Sequence, residues 1–285
     1  MRGTGCFPVK AVKLFFLIFS AVIAAVGQIA IPAAQASTVD LTSYDSGSIN
    51  GVLFNKIDEP RAGSGTLHSF LRLNSNDPEE RGYNTDHRYA RGAADLEYDQ
   101  NPSPNFTRSL LLSQVPTVMV DGIRYREFIL DINEPLARGN DHQAHNLSLD
   151  QLQIFLGNSP DLHDFGSADL WQPNTALVYD MNPGGAQNWV EMSCWPAQGG
   201  SGWADVAVFI PDALFADLDP SFRYLYLYSL FGAEFHDSGS GLANDGGFEE
   251  WAVAGQANAV PEPSALLLIG AGFFGILPGV RTRHS

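Results

Sequence analysis

Residues 116–133 read PTVMVDGIRYREFILDIN. Asp121-Gly122 stands between two runs rich in β-branched and aromatic residues, and a type I′ turn needs positive φ at both central positions, which Asp-Gly supplies. The stretch therefore predicts a tight hairpin, with Val118 and Val120 on one strand and Ile123 and Tyr125 on the other. Similar runs recur at 51–57, 66–73, 149–156, 176–180, 188–194, 203–210, 222–231 and 248–254, with Gly, Pro, Asn and Asp between them. Their residue types are those that fit a pleated surface. In 222–231, Tyr224, Tyr226 and Tyr228 fall on one face and Leu225, Leu227 and Phe231 on the other. A strand apolar on both faces belongs in the middle of a sheet.

No long helical period occurs. The spacing predicts one helical turn at 211–218, a long loop over 79–109, and no internal repeat. An all-β chain of this size reads as a single two-sheet β-sandwich, jelly-roll-like, over residues 37–259.

The 285 residues are 45% apolar and carry a formal charge of −16, so a core is available and nucleic acid is excluded as a partner. Without its two ends the chain holds 31 acids against 11 bases, and from Gly139 onward the body has 16 acids and one base, Arg223. That imbalance suits an exported, self-repelling solute, and clustered carboxylates also suit hard cations. Two cysteines exclude a disulfide scaffold.

Each end is an address. Arg2, Lys10 and Lys13 precede the uncharged run 14–26, LFFLIFSAVIAAV, and Ala34-Gln35-Ala36 supplies the small-x-small site for signal peptidase. Residues 1–36 thus read as a signal peptide, cleaved between Ala36 and Ser37. At the other end Pro261, Glu262 and Pro263 precede seventeen uncharged residues, 264–280, closed by Arg281 and Arg283. Such a run is a single short membrane-spanning helix whose basic end stays cytoplasmic. GAGFFG at 270–275 matches a dinucleotide-binding fingerprint but follows no strand, so it carries no function.

Residues 260–285 resemble the PEP-CTERM sorting signal of Gram-negative bacteria that make exopolysaccharide. The resemblance implies that Pro261, Glu262 and Pro263 are recognised by exosortase, with the membrane engaged through the span before processing. The basic end departs from the family pattern, because Thr282 interrupts it. The body also resembles a recurrent domain found before such tails, in FLRL at 70–73, GYNT at 82–85, EFILDINE at 127–134, SLDQLQIFL at 148–156, YLYLYSLFG at 224–232 and GFEEW at 247–251. That likeness brings no catalytic residue; it implies an exported protein of the cell surface, envelope or extracellular matrix.

Within the body, Cys194 is expected to be a buried thiol, since a reactive one needs cationic neighbours. The sequence selects no carboxylate pair for glycoside hydrolysis, and Glu249 and Glu250, adjacent on a strand, point to opposite faces. His142 and His145 lack the H-E-x-x-H pattern of a zinc site. Calcium is the one cofactor the oxygens suggest, at Asp180 and Asn182 or at Asn244, Asp245 and Glu249. The first group also reads as an Asn-Pro-Gly-Gly turn between strands. Trp171 and Trp195, each beside Pro and Gln, are expected to be exposed and to contact sugar rings. The sequence thus favours a non-enzymatic surface or matrix protein with exopolysaccharide as a partner. An exported carbohydrate-active hydrolase on a jelly-roll fold is the alternative.

Overall fold

The computed structural model describes residues 36–57, 69–88, 96–134, 145–194, 204–232, 241–244 and 247–253. The strands are β1 (Thr38–Asp40), β2 (Ser46–Ile49), β3 (Val52–Lys56), β4 (Ser69–Leu73), β5 (Glu80–Tyr83), β6 (Leu110–Leu111), β7 (Thr117–Val120), β8 (Ile123–Asp131), β9 (Asn146–Gly157), β10 (Thr175–Asp180), β11 (Trp189–Ser193), β12 (Val206–Pro211), β13 (Tyr224–Phe231) and β14 (Glu249–Val253). They form two seven-stranded sheets. The first runs β1-β11-β9-β13-β5, with β10 on β9 and β6 on β13; the second runs β2-β3-β12-β8-β14-β4, with β7 on β8. Pairing is antiparallel except between β1 and β11. Over the described residues the molecule is all-β and its two sheets form a sandwich, as the strand runs predict.

The alternation in β13 decides what the first sheet faces. Leu225, Leu227 and Phe231 enter the core between the sheets beside Phe54, Phe128, Leu130 and Trp251. Tyr226 and Tyr228 point the other way, into a separate aromatic cluster. The neighbouring β9 sends Leu147, Leu149, Leu152, Ile154 and Leu156 inward, although Leu149 and Leu156 stand an odd number of positions apart. A bulge at Asp150, where the β13 register steps from Gln151 to Leu149, restores the phase. Across the core the Trp251 indole N–H donates to the Ser229 hydroxyl at 3.0 Å, joining β14 of one sheet to β13 of the other.

The hairpin forms as expected, with Val118 opposite Tyr125 and Val120 opposite Ile123. Asp121 and Gly122 sit at φ 50° and 82°. Asn50-Gly51, at φ 51° and 84°, makes an equivalent turn between β2 and β3 that the sequence reading passed over. The Asn50 amide then reaches Met181 O at 3.0 Å, and Tyr179 OH donates to Ile49 O at 3.1 Å, tying this turn to the opposite sheet. Two further sequence expectations are refined. The loop expected over 79–109 contains β5, which lies along β13, and the turn expected at 211–218 is a 3₁₀ turn, Asp212–Phe215. Apart from Ala36, the signal peptide lies outside the described residues, as does the tail 260–285 with its span 264–280.

Gly122→Val should destabilise the body by about 1 kcal/mol or more, because a β-branched residue resists positive φ. Nothing lies within 4 Å of an added Cβ there, so the loss would be backbone strain and not a clash. Urea unfolding of the full chain in detergent checks this, and Gly122→Asn, which tolerates that conformation, should cost less.

Candidate functional site

The face of the first sheet turned away from the core is covered by its own aromatic cluster. The excursion between β9 and β10 folds back over β13 and delivers Leu162, Phe165 and Trp171 to Tyr83, Tyr226 and Tyr228. Trp171 is the hub, with ring centroids 4.8 Å from Phe165, 5.1 Å from Tyr226 and 5.2 Å from Tyr83. Polar tethers fix the excursion: Tyr226 OH donates to Ser159 O at 2.6 Å and accepts from Leu162 N at 3.0 Å, while Thr85 Oγ1 donates to Leu162 O at 2.8 Å. Trp171 was expected to be exposed, and this is corrected: it is 1% exposed and presents no face to a sugar. The turn that begins at Gln172 and Pro173 leaves those two at the surface while Trp171 packs inward. Trp195 lies outside the described residues.

Beside this cluster lies a groove of about 410 Å³. Phe165 and Tyr228 stack at one wall, centroids 4.4 Å apart with planes 20° from parallel. Gln151 and Gln153 rise from β9 as its floor, and Asn182 and Gln187 come from the loop between β10 and β11. No Lys or Arg lines it, and its one carboxylate, Asp150, is buried in the β9 bulge. The amides of Gln153 and Gln187 make no hydrogen bond among the described residues, whereas Gln151 bonds Asp180 at 3.1 Å and Asn182 at 3.0 Å. The result is a half-buried Phe165, stacked on a buried Tyr228, beside open amide donors and acceptors, with little charge. A second cavity, about 460 Å³, opens between Leu112, Phe215 and Phe222. Its Arg126 is held by Asp212 at 2.8 Å and by two backbone carbonyls.

The residues expected to hold calcium are placed as follows. Asp180 and Asn182 do come together, but the Asp180 carboxylate accepts from Asn182 N at 2.8 Å and from Gln151. The Asn182 side-chain Oδ1 accepts from Asn188 N at 2.6 Å, and its Nδ2 donates to Asp150 O at 2.7 Å. This is the polar turn between strands that the Asn-Pro-Gly-Gly reading describes. Asn244 turns its amide N–H groups toward Ser75 O and Asp77 O, at 3.1 and 2.9 Å. Asp245 lies outside the described residues, and Glu249 points into the interior. Among the described residues no three His, Cys, Asp or Glu side chains gather as a metal would require.

A set of acids is buried between the sheets, Glu249 of the expected calcium group among them. Glu80 on β5 and Glu249 on β14, each 0% exposed, meet between the two sheets. Burial raises both carboxyls, Glu80 to about 7. Glu250 faces the other way and pairs with Arg72 at 2.8 Å, as the alternation of adjacent strand residues predicts. Asp205 accepts from Ile132 N at 2.7 Å and is pushed up to about 8 by burial. Cys194 is partly buried, and burial with Asp205 and Glu134 nearby pushes its thiol up to about 11, which disfavours the nucleophilic thiolate. The acids gave no sequence signal beyond their place at strand ends.

Residues 259–278 match the model of the PEP-CTERM protein-sorting motif. No curated protein and no solved structure matches the chain. The motif marks an exported protein handled by exosortase and associated with the envelope or surface.

Trp171→Ala should cost about 3–5 kcal/mol, the range for removing a fully packed aromatic. Denaturant unfolding followed by circular dichroism reads it. A loss below about 1 kcal/mol would mean that the excursion is not held by this ring.

Proposed function

We propose that the protein is a non-enzymatic component of the cell surface or extracellular matrix that binds a neutral polysaccharide along the groove between the Phe165–Tyr228 pair and the β9 amides. The carrying observation is the combination in one open groove of a stacked aromatic wall with the uncommitted amides of Gln153 and Gln187. Aromatic faces pack against the C–H faces of sugar rings, and side-chain amides match vicinal hydroxyls as donor and acceptor together. Charge supports a neutral ligand. The body carries 31 acids against 11 bases and would repel a polyanion. The export signal agrees, since the motif sends the chain toward the envelope, where such polymers lie.

The hydrolase reading needs two carboxylates about 5–9 Å apart around a substrate. Glu80 and Glu249 are closed off from solvent, and a smaller cavity of about 260 Å³ that does hold carboxylates has Asp99 tied to Arg81 N and Glu97 tied to Tyr83 OH and Phe165 N. The binding reading is therefore preferred.

Two outcomes test it. Gln153→Ala and Gln187→Ala should each weaken retention of the full chain on immobilised neutral exopolysaccharide by about two- to tenfold, the worth of one lost hydrogen bond, with unchanged unfolding. Wild-type retention by both variants would rule the groove out. For traffic, native protein from the producing cell should lack residues 264–280 by intact mass, and replacing Glu262 should leave an unprocessed membrane form. Mature protein still carrying Arg281 would count against exosortase handling.

A further inference from the structure

β14 is the last described strand, and Pro261 follows its final residue, Val253, by eight positions. Whatever holds β14 in the sandwich therefore holds the point from which the sorting tail departs. On one side β14 pairs with β4, through a ladder with a register shift between Trp251 and Ala252, and on the other with β8. Toward the opposite sheet its first residue, Glu249, meets Glu80 of β5.

This contact is unusual chemically. Among the described residues neither Glu249 oxygen, nor Glu80 Oε1, makes a well-formed hydrogen bond when both groups are ionised, and the donor that acts on Glu249 is the backbone N–H of Asn133. Glu80 Oε2 accepts from Ser75 N at 3.1 Å. The charged groups acting on the pair are Asp99 on the Glu80 side and Glu134 on the Glu249 side, both acids, and no base among the described residues joins them. Two touching carboxylates in a dry interior repel strongly, and when both are ionised neither has a hydrogen to offer the other. One proton resolves both problems, because a carboxylic acid donates to a neighbouring carboxylate in a short, charge-assisted bond.

We propose that Glu80 and Glu249 share a single proton, and that this proton is a pH-sensitive latch fastening the last strand, and with it the root of the sorting tail, to the opposite sheet. Burial is the largest cause raising both groups, so the direction agrees with the geometry. The sign follows from linkage. The folded state keeps a proton that the unfolded chain, with ordinary glutamates, releases near pH 4.5. Stability is therefore fullest below that pH and falls as pH rises through about 7 and beyond, where the pair becomes doubly charged. The latch is independent of the glycan groove, whose failure would leave it untouched.

The test is urea unfolding of the full chain in detergent from pH 5.5 to 8.5, comparing wild type with Glu249→Gln, alongside hydrogen exchange followed at residues 249–253. A carboxamide supplies its own N–H to Glu80 and cannot titrate. The wild-type folding equilibrium should fall more steeply, by up to about tenfold per pH unit for one linked proton. Exchange at 249–253 should rise with pH beyond the intrinsic rate in wild type and not in the variant. Asp205 contributes the same sign but is present in both proteins, so the difference between them removes it. Should Glu249→Gln not fold, Glu80→Gln addresses the same proton from the opposite sheet. Equal slopes in wild type and variant would overturn the latch. So would restoration of wild-type stability at pH 8.5 by millimolar calcium but not by sodium at matched ionic strength, because the pair would then hold a cation and not a proton.

Discussion

Because β13 is apolar on both faces, the chain must supply two covers for one strand. Leu225, Leu227 and Phe231 require a second sheet, which β8, β12 and β14 provide. Tyr226 and Tyr228 require something on the outer face, where no third sheet exists among the described residues. The chain meets that need with the β9–β10 excursion and the Trp171 hub. Burial of large rings on that side is worth roughly 1.5–3 kcal/mol for each well-covered side chain. The aromatic wall of the groove is a by-product: Phe165 stacks on Tyr228 because the strand's outer face must be covered, and its remaining surface is left at the groove edge.

Local signals in the sequence were read correctly and nonlocal ones were not, for physical reasons visible at particular residues. Asp121-Gly122 was legible because a two-residue turn depends on its own φ values and on apolar strands beside it. Asn50-Gly51 carries the same signal, yet β2 before it reads SGSI, too short and polar to stand out as a strand. The β5 sequence ERGY reads as loop because its pairing residues lie far along the chain in β13, and its first residue is a charge that only the fold neutralises. Trp171 reads as exposed because Gln172 and Pro173 follow it. Those two are indeed exposed, and exposure in a tight turn does not pass to the next side chain.

The acidic balance of the body divides along the same lines. Composition reports how many carboxylates there are, and the fold decides what each one meets. Asp180 accepts from the amides of its own turn, Glu250 from Arg72, Asp205 from a backbone N–H, and Glu249 from neither a base nor an amide side chain. A count of 16 acids after Gly139 therefore could not separate a screened surface from a buried pair. The burial of Glu80 and Glu249 is a cost the fold carries, and a hydrophobic pair of similar volume would remove it. What a hydrophobic pair would not supply is dependence on protons.

The sorting tail and the body differ in how they can be read because they are recognised differently. A sorting motif is recognised as a linear stretch, so residues adjacent in sequence act together. The motif is thus complete within a short stretch, 259–278. A groove on a folded sheet draws Phe165 from an excursion, Tyr228 from β13, Gln153 from β9 and Gln187 from a loop, and no two of these are neighbours in the chain. Their spacing follows strand lengths, a bulge at Asp150 and the return path of the excursion, each of which can change without altering what the groove presents. An address can therefore be read from linear order, whereas the activity of the body follows from which distant strands are brought side by side.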